Sequence, residues 1–340
     1  MEEKGQQIRL TAGELAQLWV QYLNDSASIC ILSFFLEKAE DEEIKPIIQF
    51  ALELSKSHVE SITAILTEEK NVVPDGFSME EDVDVSAPRL YSDSFVLNFL
   101  NQMAKIGLTS YAGSVAASVR EDIRSYYMDC LEETMQLYKK STDLLLSKGL
   151  FIRSPSLPNL EKVEFVKKQW FMLDVFGEKR PLTAAEVDNL FANLQRNALG
   201  VATLTGFTQV AKEKDVKQFF LKGLEIGNKH IKLFRSKLEE SKLPAPMGWD
   251  SEITNSTAHT FSDRLMMFFT SGLITLSVGY YGTAISQSPR GDISAMYNRL
   301  SLEVQLYAED GANIMIKNGW LEQPPMASDR DELIRKKDQL

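Results

Sequence analysis

The stretch Leu10-Thr11-Ala12-Gly13-Glu14 returns 172 residues later as Leu182-Thr183-Ala184-Ala185-Glu186. At the same offset Leu18 meets Leu190, Phe35 meets Phe207, Glu53 meets Glu225, His58 meets His230 and Pro74 meets Pro246. Farther on the offset becomes 170, pairing Asp93 with Asp263, Tyr111 with Tyr281, Arg120 with Arg290 and Asp122 with Asp292. Tyr127 and Tyr297, Glu133 and Glu303, Gly149 and Gly319, and Pro155 and Pro325 continue the series. Chance does not supply this many pairs on two near-constant offsets, and the period is too long for a solenoid repeat. The chain therefore reads as one domain in tandem: a first copy over 1–155, a linker over 156–181, a second copy over 182–326 and a polar tail over 327–340.

Each copy reads as four helices. Thr11 with Glu14 and Thr183 with Glu186 have the spacing of capping boxes. Leu18, Tyr22, Asp25 and Ile29, and their twins Leu190, Leu194, Asn197 and Val201, form 4-3-4 stripes suited to a core face. A second helix follows Asp41-Glu42-Glu43, with Ile47, Ala51, Leu54, His58 and Ile62 on one face. A third takes Phe95 to about Ser118, and a fourth takes Arg120 to Lys148 with Gly149 as its C-cap. Connections are short, long and short. The long one runs from about Asn71 to Ser92, enough extended chain to cross a bundle end to end. One long crossover is the ferritin-like arrangement, so the expected fold is all-α, two tandem ferritin-like four-helix bundles. The linker aromatics Phe165, Trp170, Phe171 and Phe176 suggest that it packs.

Composition excludes some partners. The net charge is −11, and no dense Lys/Arg stripe offers a surface to DNA or RNA. Cys30 and Cys130 fall on apolar stripes, which suits reduced thiols and a cytoplasmic location. The segment Met1-Glu2-Glu3-Lys4-Gly5-Gln6-Gln7 lacks the apolar core of a signal peptide. Leu265–Ile285 carries no charge and is long enough to span a bilayer. Its twin carries Asn98, Gln102 and Lys105, so burial against its own bundle or the sister domain is the expectation, with no membrane span.

The chain resembles a ferritin-like family of unknown function, found as single or tandem units in Gram-positive spore-forming bacteria, some members being labelled spore-coat proteins. Tyr22-Leu23-Asn24-Asp25, Ser57-His58, Ala104-Lys105-Ile106-Gly107-Leu108 and Tyr307-Ala308-Glu309-Asp310-Gly311-Ala312-Asn313-Ile314-Met315-Ile316 carry the likeness, extended by Asn318-Gly319-Trp320-Leu321-Glu322-Gln323-Pro324-Pro325. The resemblance implies association with sporulation, with spore-layer proteins or further copies of the chain as partners. It implies no established activity.

Di-iron bundles place a Glu-x-x-His pair on each of two helices. Here Ser55 precedes His58 by three and Gly227 precedes His230 by three, and the fourth helices contain no His. A smaller constellation remains. Asp25, His58 and Glu133 lie 13–14 residues into their helices, and at ~1.5 Å per residue that puts all three near mid-bundle. The second copy offers Asn197, His230 and Glu303 at the same depth, with Asp310 two turns beyond Glu303. One reading is a mononuclear site for Fe, Zn or Mn. The other is a metal-free buried network in which each polar group answers another. Both place His58 within reach of Asp25 or Glu133, and His230 within reach of Asn197 or Glu303.

Arg290-Gly291-Asp292 has the twin Arg120-Glu121-Asp122, so it reads as a helix start rather than an adhesion tripeptide. His259 lacks a repeat partner and is expected in solvent. No catalytic residue stands out, and the leaning is away from an enzyme. The leading functional reading is a structural or interaction protein of sporulating cells, favoured by the family resemblance. The alternative is a metal-binding ferritin-like protein, with oxidoreductase chemistry as an option, and a third reading is a small-ligand binder using a pocket between helices or between the two domains.

Overall fold

The computed structural model describes residues 8–167, 171, 180–246, 248–330 and 335. The first repeat contains α1 (Ala12–Lys38), α2 (Lys45–Glu68), the one-turn α3 (Met79–Asp82), α4 (Asp93–Ala117) and α5 (Glu121–Ser147). The second contains α6 (Ala184–Val210), α7 (Lys214–Glu240), a 3-10 turn (Asp250–Glu252), α8 (Asp263–Gln287) and α9 (Gly291–Lys317). Among the described residues there are no strands, only the isolated antiparallel bridges Val83–Phe261 and Tyr91–Ile253. The fold is all-helical and two-repeat, as the offsets require.

Both capping boxes form. Thr11 and Thr183 accept from the amides of Glu14 and Glu186, whose carboxylates reach back to the threonine amides. The same glutamates then do a second job. Glu14 is fully buried, and its other oxygen accepts the amides of Val119 (2.9 Å) and Arg120 (2.8 Å) where α5 begins. Glu186 accepts the amide of Arg290 (2.9 Å) and two bonds from the Arg180 guanidinium (2.8 and 2.9 Å). A helix start leaves amides without intrahelical partners, and here one buried carboxylate serves the starts of two helices. Arg290, nearly fully buried, binds Asp292 at 2.7 Å, so the adhesion-like tripeptide is a helix N-terminus as expected.

Within the first repeat α1 packs on α2 and α4, and α5 packs on α2 and α4. Gln17 meets Ser114 (3.0 Å) and Gln21 meets Tyr111 (3.3 Å), so α1 and α4 run antiparallel. Arg120 pairs with Glu69 and Lys148 with Asp41 (2.8 Å), which sets α2 and α5 antiparallel. The crossover between α2 and α4 therefore joins two helices that run the same way, which is why it is long. The second repeat packs alike.

The two crossovers join the repeats. The Ser92 amide donates to the Glu252 carbonyl at 2.9 Å, and the Ser262 amide donates to the Asp82 carbonyl at 2.9 Å. The Ser92 hydroxyl donates to the Glu252 carboxylate, and the Ser262 hydroxyl to the Asp82 carboxylate. Asp84 reaches Thr260 (2.8 Å) and Thr254 reaches Leu90 (2.9 Å) through backbone bonds. Every one of these pairs is its partner shifted by 170 residues. That is the contact rule of a two-fold interface, written inside one chain. Phe261 packs edge-on against Phe34 at 5.2 Å, and its twin Tyr91 packs into Gly206, donating to the Thr203 carbonyl at 2.7 Å. Arg264 adds an ion pair to Asp82 at 2.9 Å, and Glu322, beyond α9, accepts the Asp75 and Gly76 amides (3.1 and 2.8 Å). One apolar core runs through both repeats.

Three expectations need correction. Phe165 is 82% exposed and residues 156–167 are almost all exposed, so that part of the linker does not pack; Trp170 and Phe176 lie outside the described residues. Among the described linker aromatics, Phe171 engages, beneath the Arg180 guanidinium (4.2 Å). His259 is half-buried rather than solvated, and its Nδ1 donates to the Val210 carbonyl at 3.0 Å. The helix α8 is long and apolar enough to cross a membrane, yet only 33% of its most apolar window is buried. Part of its apolar surface faces a cleft described below. Cys30 and Cys130 are buried free thiols.

The seam makes a sharp prediction. A Cβ at residue 206 would lie within 2.7 Å of the Tyr91 ring, whereas one at Gly279 meets nothing within 4 Å. Gly206→Ala should lose ~1–3 kcal/mol through overpacking, and Gly279→Ala should gain up to about 1 kcal/mol from helix propensity. Urea unfolding of both variants checks the contrast, and a neutral Gly206→Ala would contradict the seam.

Candidate functional site

Halfway along the first repeat, the helix periods that build the core also aim polar groups into it. Asp25 of α1 accepts from the Ser55 hydroxyl (2.9 Å) and lies 3.2 Å from His58 Nδ1, both on α2. His58 Nε2 is 3.3 Å from Glu133 of α5. Asp25 and His58 are buried, and the Glu133 side chain is 39% exposed. Tyr111 of α4 and Tyr126 of α5 flank the imidazole with ring centroids at 5.8 and 6.2 Å. Gln21 donates to Tyr111 and weakly to the Cys130 sulfur. This polar belt cuts the apolar core: Leu18, Ile62, Leu66, Ile123 and Tyr127 form a separate cluster beyond it.

Burial alone would lower the His58 pKa. The Asp25 carboxylate, with a further contribution from the Cys130 sulfur, outweighs it and pushes the imidazole up to about 11. His58 is therefore an imidazolium that donates to two carboxylates.

The second repeat keeps the histidine and changes its state. Asn197 replaces Asp25 and Gly227 replaces Ser55. His230 Nε2 donates to Glu303 (3.0 Å), and its Nδ1 accepts from the Tyr281 hydroxyl (2.9 Å), which in turn meets Asn197 (3.1 Å). Lys229 shares Glu303 (2.7 Å). Burial, only partly opposed by Glu303, lowers the His230 pKa, and the ring is neutral. Burial would raise the Glu303 pKa, but the bonds from Lys229 and His230 hold it below the usual carboxylate range. Asp310 does not join: seven residues place it ~10 Å farther along the helix, where it pairs with Lys222 near the surface.

The spacing thus brings together Asp25, His58 and Glu133, and His230 with Glu303, while Asn197 reaches His230 through Tyr281. Ser55 and the ring contacts were not read from sequence. As a donor set for an ion the arrangement is poor. The two carboxylates of the first cluster lie against different nitrogens of one ring, on diverging lines. An ion ~2 Å from either nitrogen would be remote from the carboxylate on the other. Among the described residues no three His, Cys, Asp or Glu side chains converge as ligands.

The belts border a larger feature. Between α1 and α4 on one side and α6 and α8 on the other lies a cleft of about 680 Å³. Asp25, Gln21, Tyr111 and Tyr127 line it from the first repeat, and Asn197, His230 and Tyr307 from the second. Gln21 Oε1 and the Tyr127 hydroxyl are themselves sealed from solvent and have no hydrogen-bond partner among the described residues. Apolar walls come from α4 and α8, including Phe99, Met103, Phe268 and Leu273. Gly200 and Gly272 open space on the second side, since a Cβ at either would meet nothing within 4 Å.

The family model described as a protein of unknown function, DUF3231, matches residues 1–163 and again 170–333. The chain belongs to the DUF3231 family. Its two matched spans coincide with the two structural repeats. No curated protein matches the chain. A crystal structure of a "putative spore coat protein" from Bacillus halodurans is similar to part of this DUF3231 chain, at 18% identity and a TM-score of 0.41. It covers 44% of this chain and 98% of its own.

Opposite pH trends follow for the two histidines. The His58 pKa lies above the ~6.5 of an unfolded imidazole. Its stabilisation is therefore full below that value and is lost as pH rises toward the folded pKa. The His230 pKa is lowered, so its neutral form stabilises above ~6.5 and that contribution fades as pH falls. Urea unfolding at pH 6 and pH 9.5 should show a gap between wild type and His58→Gln of a few kcal/mol at pH 6, narrowing at pH 9.5. The gap for His230→Gln should narrow on going down to pH 5. A pH-independent gap in both variants would contradict the assignment.

Proposed function

We propose that this DUF3231 chain is a non-enzymatic binding protein that holds one small apolar or amphipathic molecule in the cleft between its repeats. The observation that carries the reading is the cleft itself. Its volume falls in the ~300–1,000 Å³ range of small-molecule sites, at a junction between domains where such sites concentrate. Its walls combine exposed apolar surface with a few polar side chains, among them Tyr111 and Asn197. Apolar side chains left facing an open cleft favour an occupant by the hydrophobic effect, at ~25 cal/mol per Å² covered.

A ferritin-like topology is part of the proposal, supported by antiparallel neighbours and one long crossover per repeat. Work in spore-forming cells, beside spore-layer proteins, rests on the family resemblance. The alternative is a metal-binding protein, favoured by the recurrence of a His–Glu pair in both repeats. It would use Asp25, His58 and Glu133, or Asn197, His230 and Glu303, for Fe, Zn or Mn after a ring rotation. Elemental analysis separates the two: binding in the cleft expects no stoichiometric metal, and one ion per repeat would favour the alternative.

Titration with the neutral fluorophore N-phenyl-1-naphthylamine tests the main reading. Saturable 1:1 binding is expected, with a melting temperature that rises with probe. At 100 times Kd the gain is ~2.7 kcal/mol. Gly272→Leu should fill the cleft and weaken the probe at least ten-fold while leaving the fold as stable or better, because leucine is the stronger helix former. No saturable binding, or binding unaffected by Gly272→Leu, would overturn the reading.

A further inference from the structure

Of the side chains that line the cleft among the described residues, two carry formal charge outside the histidines, Asp25 and Arg196. They are not equivalent. Asp25 is answered within its own repeat by the Ser55 hydroxyl and the His58 imidazolium. Arg196 of α6 has no carboxylate in ion-pair range among the described residues. Its contacts are the Asn193 Oδ1 at 3.4 Å and the face of Tyr280, 3.6 Å from the guanidinium carbon to the ring centroid. Burial lowers its pKa, with the adjoining Tyr280 and the more distant Asp188 and Tyr297 only partly opposing. A guanidinium held in a half-buried, largely apolar wall without a counter-ion is costly, because lost hydration is not returned. The Tyr280 face supports one side of the planar group, which leaves N–H edges for an incoming acceptor. A planar fork of donors matches a carboxylate in bidentate fashion.

The charge also breaks the internal two-fold. The residue equivalent to Arg196 in the first repeat is Asn24, whose amide is turned back onto the Val20 carbonyl at 2.9 Å. The equivalent of Tyr280 is Ser110, and those of Gly200 and Gly272 are Ser28 and Gln102. One end of a pseudo-symmetric cleft thus acquired a cation, an aromatic platform and open volume together. The apolar walls continue past it along Phe99, Met103 and Ile106 of α4 and Phe268, Leu273 and Leu276 of α8.

We infer that the occupant is a single-chain amphiphile with a carboxylate head, its carboxylate received by Arg196 and its alkyl tail lying between α4 and α8. The inference rests on the binding reading above and narrows it to a chemical class. The two-fold fixes no orientation for the occupant, but the Arg196 guanidinium does.

Isothermal titration of the full chain with dodecanoate and with dodecanol, both below their aggregation limits, tests it. Dodecanoate is expected to bind 1:1 and at least ten-fold tighter than dodecanol. Arg196→Gln should bring dodecanoate down to the dodecanol level and leave dodecanol unchanged. Arg196→Lys should fall between, and unchanged melting of both variants guards against a folding defect. Equal binding of the two ligands to wild type, or a preference untouched by Arg196→Gln, overturns the carboxylate assignment while the cleft reading stands. Binding of neither ligand, together with failure of the neutral fluorophore, overturns the cleft reading itself. Association with phosphatidylcholine vesicles without uptake of either monomeric ligand would place the apolar face of α8 on a lipid surface and overturn both.

Discussion

The reciprocal seam between the crossovers is the constraint on which the rest depends. Ser92 with Glu252 and Ser262 with Asp82 tie each crossover to the other repeat through backbone and side chain at once. Tyr91 in Gly206 and Phe261 on Phe34 then set how closely α1 and α6 approach their opposite crossovers. The seam buries polar backbone that a 20-residue loop would otherwise leave to solvent, and its backbone bonds and serine–carboxylate bonds come in twinned pairs, so the join is strong at one level of the molecule. Elsewhere α4 and α6 touch only sparingly. Tight joining at the crossovers and loose contact farther along leaves the cleft.

Duplication supplied two copies of one site, and the copies diverged in charge. Where Asp25 stands, His58 is held as an imidazolium between two carboxylates. Where Asn197 stands, the same ring is neutral, accepts a hydrogen bond from Tyr281 and shares Glu303 with Lys229. The first belt interrupts its core; the second, with Leu300 at the place of Cys130 and Phe234 at that of Ile62, does not. The glycines of the second repeat follow the same division. Gly206 and Gly223 accept tyrosines, while Gly200 and Gly272 face open space. One repeat became the polar wall and the other the roomier one.

Much of the fold was legible because it is local and periodic. The 4-3-4 stripes, the Thr–Glu capping boxes and the constant offsets named the long helices and their pairing without reference to tertiary contact. Equal depth along the helices was enough to bring Asp25 to His58 and His58 to Glu133. It failed for Asp310, because two further helical turns carry a residue out of the layer. The seam was not legible, since Ser92, Glu252, Ser262 and Asp82 sit in crossovers that carry no period. The apolar character of α8 was read as burial because hydropathy does not distinguish a core from a cleft wall. Arg196 gave no signal: its importance lies in what does not surround it. The comparison of the repeats could have marked it, since cation, aromatic and glycine all replace polar residues on one face.

The account turns on the place where a ligand sits. The most direct measurement is a crystal structure of the chain with a terminally brominated alkyl carboxylate, with bromine located by its anomalous scattering. One bromine position per chain between residues 99–106 and 268–276, with the carboxylate at Arg196, is the predicted result. Bromine on the outer surface of either repeat, or carboxylate density away from Arg196 with the cleft closed, would contradict it.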